Sequence, residues 1–97
     1  MYTLKTTYAE YNVSLSMGKY SNGRTAMTLI DTEDGAPVMV ATVNVPEADL
    51  NEGEIIIKNY GENEGVLEFL VGNGITSSPV RWITTGWVKC PVVNLLK

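Results

Sequence analysis

The chain has 97 residues, 44% of them hydrophobic and 19% charged, which is enough to form one domain with its own core. It has no histidine and a single cysteine, which excludes histidine-based acid–base catalysis, an internal disulfide and the common zinc sites. The net charge of −4 is distributed unevenly. Ten of the eleven carboxylates lie between Asp31 and Glu68, where Lys58 is the only base. Such a segment, at −9, repels nucleic acid and attracts basic protein surfaces.

The first half of the chain is typical of antiparallel strands. Apolar and polar residues alternate strictly over residues 11–17, which predicts a strand with one buried face. A turn over residues 18–23 precedes a return strand over residues 25–30. Glu33-Asp34-Gly35 predicts a second hairpin turn, because Asp-Gly suits the positive φ angles of a type I′ turn.

The middle of the chain holds a third strand and an acidic loop. Residues 38–45 are rich in β-branched side chains, and Pro46 is expected to end the strand because it has no N–H to donate. The acidic loop follows over residues 46–53. The three isoleucines of residues 55–57 then predict a short buried strand.

One principal helix is predicted over residues 63–72. Asn63 is its expected N-cap, and Glu64 would lie near the positive end of the helix dipole. Gly72 or Gly74 is expected to close it in the left-handed conformation. The last part of the chain contains three strand-like pieces, over residues 80–85, 87–90 and 92–96, separated by Gly86 and Pro91.

The complete pattern predicts a single α+β domain over residues 1–97, with a twisted antiparallel sheet of four to six strands and one helix. Seven apolar residues are expected in the core: Val13, Leu15, Leu29, Val43, Ile56, Leu67 and Leu70. Cys90, in an apolar tail, is expected to be a buried small hydrophobe. Neither a signal peptide nor a membrane span is evident, so we expect a cytoplasmic protein.

Few residues favour catalysis or cofactor binding. Residues 31–35 faintly resemble a calcium loop, but the glycine comes one position early and no glutamate closes it, so a hairpin turn is the favoured interpretation. We therefore predict no metal, no cofactor and no enzymatic activity. Trp82 and Trp87 have two interpretations: they close the core against the sheet, or one of them is an exposed anchor for a partner.

The segment Asn59-Tyr60-Gly61-Glu62-Asn63-Glu64-Gly65 carries a family resemblance. Together with Gly74-Ile75, Gly86-Trp87-Val88 and Pro91, it resembles a small family of unknown function encoded among accessory genes of phages, plasmids and conjugative elements. The resemblance covers about the last 40 residues. It implies a bacterial host cell and neighbouring anti-defence genes, and it transfers no catalytic residue.

Acidity and this resemblance together lead to a functional hypothesis. The chain would be a stoichiometric anti-CRISPR or antirestriction inhibitor whose carboxylates occupy a basic nucleic-acid channel of a host defence complex. It would bind a basic protein surface and neither nucleic acid nor membrane. The expected contact residues are Asp31, Glu33, Asp34, Glu47, Asp49, Glu52, Glu54, Glu62 and Glu64, with Trp82 and Trp87 as secondary candidates.

Two alternatives stay open. The first is a sponge or sensor for a small molecule or nucleotide, for which Arg24, Lys58 and Arg81 are the residues that suit an anion. The second is a small structural or regulatory protein that assembles through sheet edges, for example as a homodimer.

Overall fold

A computed structural model describes residues 2–6 and 9–96, and for Glu62 the backbone alone. It confirms the α+β class, with seven strands, one α-helix and a short 3₁₀ turn at Gly61–Asn63 among these residues. The elements are β1 (Tyr2–Lys5), β2 (Glu10–Lys19), β3 (Thr25–Asp31), β4 (Pro37–Val40), β5 (Glu54–Ile56), α1 (Val66–Gly72), β6 (Arg81–Thr85) and β7 (Val88–Asn94). No helix in the described residues is both long and apolar enough to cross a membrane.

The strands are divided between two antiparallel sheets, of order β1-β2-β3-β4 and β5-β7-β6. The chain passes from one sheet to the other at Ala41. The Ala41 N–H donates to the Met27 carbonyl in β3, whereas the Ala41 carbonyl accepts from the N–H of Lys58, each at 2.8 Å. The next residue, Thr42, forms a bridge with Ile57 beside the second sheet. The strand predicted over residues 38–45 is β4. It ends at Val40, and not at residue 45, because the residues that follow pair with the other sheet.

The main core lies between the four-stranded sheet, α1 and one face of the three-stranded sheet. Five of the seven predicted core residues are buried: Val13, Leu29, Ile56, Leu67 and Leu70. Leu15 and Val43 are only half-buried, so their prediction is corrected. Leu15 pairs with the buried Leu29, but β1 pairs with β2 only as far as Val13, so from Leu15 onwards β2 is the outer strand of its sheet. Val43 lies in the segment between the sheets.

A second apolar cluster covers the opposite face of the three-stranded sheet. It consists of the buried residues Val45, Ile56, Cys90 and Val92, with Ala48, Leu50 and Tyr60 packed against them. Cys90 is fully buried, as predicted, and burial raises the pKa of its thiol. This sheet is thus covered on both faces, and the loop over residues 46–53 is part of the cover.

The helix begins later than predicted. Its N-cap is Gly65, with φ of 94°, and Asn63 has a different role. The Asn63 side chain is buried, and its amide nitrogen donates to the Val40 carbonyl at 2.6 Å. At the other end the prediction is confirmed for Gly74, which has φ of 68°. The Ile75 N–H bonds to the Leu70 carbonyl and the Gly74 N–H to the Val71 carbonyl, which is a Schellman closure.

Pro91 does not interrupt the last strand, contrary to the prediction. It lies inside β7, the central strand of its sheet, opposite Trp82. The Pro91 carbonyl accepts from the Ile57 N–H, so the missing Pro91 N–H lies on the β5 side. The β5–β7 ladder ends there, at the pair Ile56–Val92. The proline therefore removes a hydrogen bond only at the end of a ladder.

An acidic loop held by two arginines

The structure separates the predicted acidic contact residues into two groups. Asp31, Glu33 and Asp34 follow the end of β3, whereas the loop over residues 46–53 lies near its beginning, because Arg24 reaches that loop from the residue before β3. The seven residues of β3 therefore separate the two groups by about 20 Å. They do not form one continuous surface.

The first group is a self-contained hairpin turn, as predicted, but it is not of type I′, because Gly35 has a positive φ and Asp34 does not. The Asp31 Oδ1 accepts from the Glu33 N–H at 2.8 Å, and the Asp34 Oδ1 accepts from the Ala36 N–H at 2.9 Å. Gly35 has φ of 74° and donates to the Asp31 carbonyl. Two of the three carboxylates therefore already accept hydrogen bonds within the turn.

The second group, which we name the acidic loop (residues 46–53), exposes Glu47, Asp49 and Glu52. Arg24 holds its beginning. The guanidinium donates to the Val45 carbonyl at 2.7 Å and also to the Ala48 carbonyl. Because the planar guanidinium offers several fixed donors, it can hold two carbonyls in one geometry.

Arg81 holds the end of the acidic loop. Its guanidinium donates to both carboxylate oxygens of Glu54, each at 2.8 Å, and to the Asp49 carbonyl at 2.7 Å. Glu54 also accepts from the Asn51 N–H at 2.7 Å. The hydrogen bonds from Arg81, and then that from Asn51, lower the pKa of Glu54 to about 2. With 6% of its side chain exposed, Glu54 presents little surface to a partner.

Apolar contacts also fix the acidic loop to the second apolar cluster. Ala48 and Leu50 pack with Tyr60 in the second cluster. The exposed Glu64 follows the 3₁₀ turn Gly61–Asn63, and the next residue, Gly65, lines a shallow cavity with Thr3 and Lys5, away from the acidic loop. The side chain of Glu62 is outside the described part of the structure. The candidate site is therefore Glu47, Asp49 and Glu52.

The bases that could have served an anion are already engaged. Arg24 and Arg81 hold the acidic loop, and the Lys58 Nζ lies 5.6 Å from the centroid of the Tyr60 ring. A phosphate ligand would have to replace these contacts. In the described residues no group of three or more His, Cys, Asp or Glu side chains is arranged to hold a metal ion.

The role of the two arginines is not evident from the sequence. Arg24 and Val45 are 21 positions apart, and Arg81 and Glu54 are 27 apart, so no local motif links them. The only signal was that both arginines lie outside the acidic segment that they hold.

The two tryptophans are on the surface, so the interpretation that they close the core is wrong. Trp82, on the edge strand β6, is 52% exposed, and Trp87, in the turn between β6 and β7, is fully exposed.

Comparison of the chain with models of protein families, with curated proteins and with solved structures finds no match.

Proposed function

We propose that this protein is a stoichiometric inhibitor that binds a basic, nucleic-acid-binding surface of a host defence complex, of the CRISPR-Cas or restriction type, through its acidic loop. The observation that carries the proposal is the way in which Arg24 and Arg81 hold the loop backbone while Glu47, Asp49 and Glu52 stay exposed. The guanidinium groups of Arg24 and Arg81 donate hydrogen bonds to loop carbonyl groups and to the nearly buried Glu54, and not to the exposed carboxylates. The exposed carboxylates are left for a partner.

The physical advantage of this arrangement is preorganisation. A flexible acidic segment would lose conformational entropy on binding, at about 0.5–1.5 kcal/mol for each immobilised side chain in addition to the backbone cost. The backbone of the acidic loop is already ordered by folding, so binding would not add that part of the entropy loss. Its carboxylates would accept charge-assisted hydrogen bonds from Arg and Lys side chains that otherwise bind phosphates.

The separation of the two acidic groups narrows the proposal. A contact that includes both the hairpin turn and the acidic loop would need a partner surface that extends over about 20 Å. The acidic loop alone fits a smaller basic groove. Because Asp31 and Asp34 accept hydrogen bonds inside their turn, we assign the main contact to the acidic loop.

A cleavage assay tests the function. Purified RNA-guided effector complexes and restriction complexes would be mixed with increasing amounts of the protein before target DNA is added. We expect one of these complexes to lose activity at a fixed molar ratio. Inhibition should weaken as salt rises, because salt screens the attraction between exposed charges. The screening length is about 10 Å at 0.1 M salt and becomes shorter at higher salt.

A matched pair of variants tests the contact. Glu47→Lys/Asp49→Lys/Glu52→Lys reverses the acidic loop and should abolish inhibition with thermal stability nearly unchanged. Glu10→Lys/Glu33→Lys/Glu68→Lys alters the net charge equally at exposed positions elsewhere and should still inhibit. If the loop variant inhibits as well as the wild-type protein does, the proposed contact is wrong. If no complex in the panel is inhibited, the proposed function fails.

A further inference from the structure

The two sheets have outer strands that the fold protects to different degrees. The outer edge of β4 contains Pro37, and the Val40 carbonyl accepts from the Asn63 amide. Residues 42 and 43 cover the free side of β5. β1 carries the exposed charge of Lys5, and the part of β2 beyond Val13, which β1 does not pair with, carries the exposed charge of Lys19. In the described residues, no strand pairs with the outer side of β6.

The backbone of β6 directs hydrogen-bonding groups to solvent at two positions. The Pro91 carbonyl faces β5, because it accepts from the Ile57 N–H. In an antiparallel ladder, residues that lie opposite each other alternate between pairs that exchange backbone hydrogen bonds and pairs that do not. Pro91 bonds to the β5 side, so Trp82 and Pro91, which lie opposite each other, form a pair that does not. The N–H and carbonyl of Trp82 therefore point away from β7. Thr84, opposite Lys89, does the same two residues later.

β6 also lacks the features that usually protect a sheet edge. Natural edge strands are blunted by lysine, proline, bulges or inward-pointing charges. The sequence of β6 is Arg-Trp-Ile-Thr-Thr, and its one charge, on Arg81, is compensated by Glu54. Trp82 is 52% exposed and the preceding Val80 is 49% exposed, so an apolar surface lies beside the free backbone groups.

We propose that a second copy of this chain pairs with β6 through its own β6, antiparallel, about a two-fold axis at Ile83. This register is the one that overlaps all five residues of β6 with all five of the second copy. It pairs Trp82 with Thr84 of the second copy, and Thr84 with Trp82 of the second copy. Each pair exchanges two backbone hydrogen bonds, and the three-stranded sheets join into one sheet of six.

The side chains are compatible with this symmetry. The two Trp82 residues become diagonal neighbours, at about 7–8 Å between Cα atoms, which is within reach of aromatic rings. The two Lys89 residues are offset by two positions along the strands and three strand spacings across the sheet. Their separation of about 16 Å exceeds the Debye length of about 10 Å at 0.1 M salt, so they repel weakly.

Sedimentation velocity of the full chain tests the proposal. An interface of five strand residues from each chain is small and is expected to associate weakly, so the protein concentration should extend from about 1 µM to about 1 mM. We expect a reversible monomer–dimer equilibrium. Thr84→Pro removes an outward N–H without affecting the pairing with β7, so it should weaken the dimer at least 10-fold. Thr84→Val keeps the backbone groups and should dimerise like the wild-type protein.

Thermal unfolding of both variants at low concentration provides the control for folding. A wild-type chain that stays monomeric at 1 mM would overturn the proposal, and the edge would then be open to a strand of another protein. A Thr84→Pro variant that is folded and dimerises like the wild-type protein would also overturn it. The acidic loop triple variant should dimerise normally, so failure here and failure of the proposed function are distinguishable.

Discussion

Arg81 and Glu54 form a bidentate ion pair between the two outer strands of the three-stranded sheet. Each guanidinium Nη atom lies 2.8 Å from a different carboxylate oxygen. Arg81 begins β6, Glu54 begins β5, and β7 runs between them. The pair thus links two strands that share no backbone hydrogen bond. It also explains why Glu54, which we expected to contact a partner, serves the fold.

This ion pair makes stability depend on acid pH. The pKa of Glu54 is lowered from 4.5 to about 2, so its ionised form stabilises the folded state fully above pH 4.5. That contribution is lost as pH falls through the window from about 4.5 to about 2. In Glu54→Gln, the midpoint of urea unfolding should therefore fall less over this window than in the wild-type protein. Glu52→Gln, at an exposed position, should keep the wild-type pH dependence, and an unchanged profile in Glu54→Gln would contradict the assignment.

The packing of α1 on the sheets depends on Leu70, which is fully buried in the main core. Leu70→Ala should lower the free energy of unfolding by about 2–5 kcal/mol, because the truncated side chain leaves a cavity. Leu96→Ala removes the same atoms from a side chain that is 59% exposed and should cost less than about 0.5 kcal/mol. Urea denaturation measures both, and equal losses would show that the helix does not pack as described.

The closure of α1 requires a left-handed residue at Gly74, whose φ is 68°. Gly74→Ala should destabilise the protein by about 1–2 kcal/mol, although the added Cβ would meet no atom within 4 Å. Gly72 lies inside the helix without a positive φ. Gly72→Ala should therefore be neutral or stabilising by up to about 1 kcal/mol. The opposite order of thermal stabilities would rule out the Schellman closure.

The order of the acidic loop depends on Arg24. Arg24→Gln removes the guanidinium that holds the Val45 and Ala48 carbonyls, so backbone amides of the loop should exchange with solvent faster, on the order of 10-fold. The Ala48 N–H, which donates to the Val45 carbonyl, is the most informative amide. Lys19→Gln, at an exposed position in the same hairpin, should leave these rates unchanged.

Asn63 satisfies the Val40 carbonyl at the edge of β4. Asn63→Ala should cost about 1–3 kcal/mol of unfolding free energy, because it removes the donor that this carbonyl bonds. Asn12→Ala, whose exposed side chain accepts only from the exposed Thr3 hydroxyl at 3.3 Å, is the control and should change little. A neutral Asn63→Ala would mean that water replaces the amide.

Local patterns in the sequence determined much of the fold. Alternation over residues 11–17 predicted β2, since a strand with one buried face has a period of two. Gly74 closed the helix as expected, because only glycine adopts the left-handed conformation without a Cβ clash. These features depend on residues that are neighbours in the chain, so the sequence alone determines them.

The tertiary structure decided what depends on residues distant in sequence. Whether Leu15 and Val43 are buried depends on which elements flank them in the folded chain, and a local sequence period does not contain that information. The passage between sheets at Ala41 depends on carbonyls and amides of β3 and of the segment after β5. The same is true of the functional surface: the sequence determined that the middle of the chain is acidic. Only folding, by bringing Arg24 and Arg81 to the acidic loop, decided which carboxylates are held and which are left exposed.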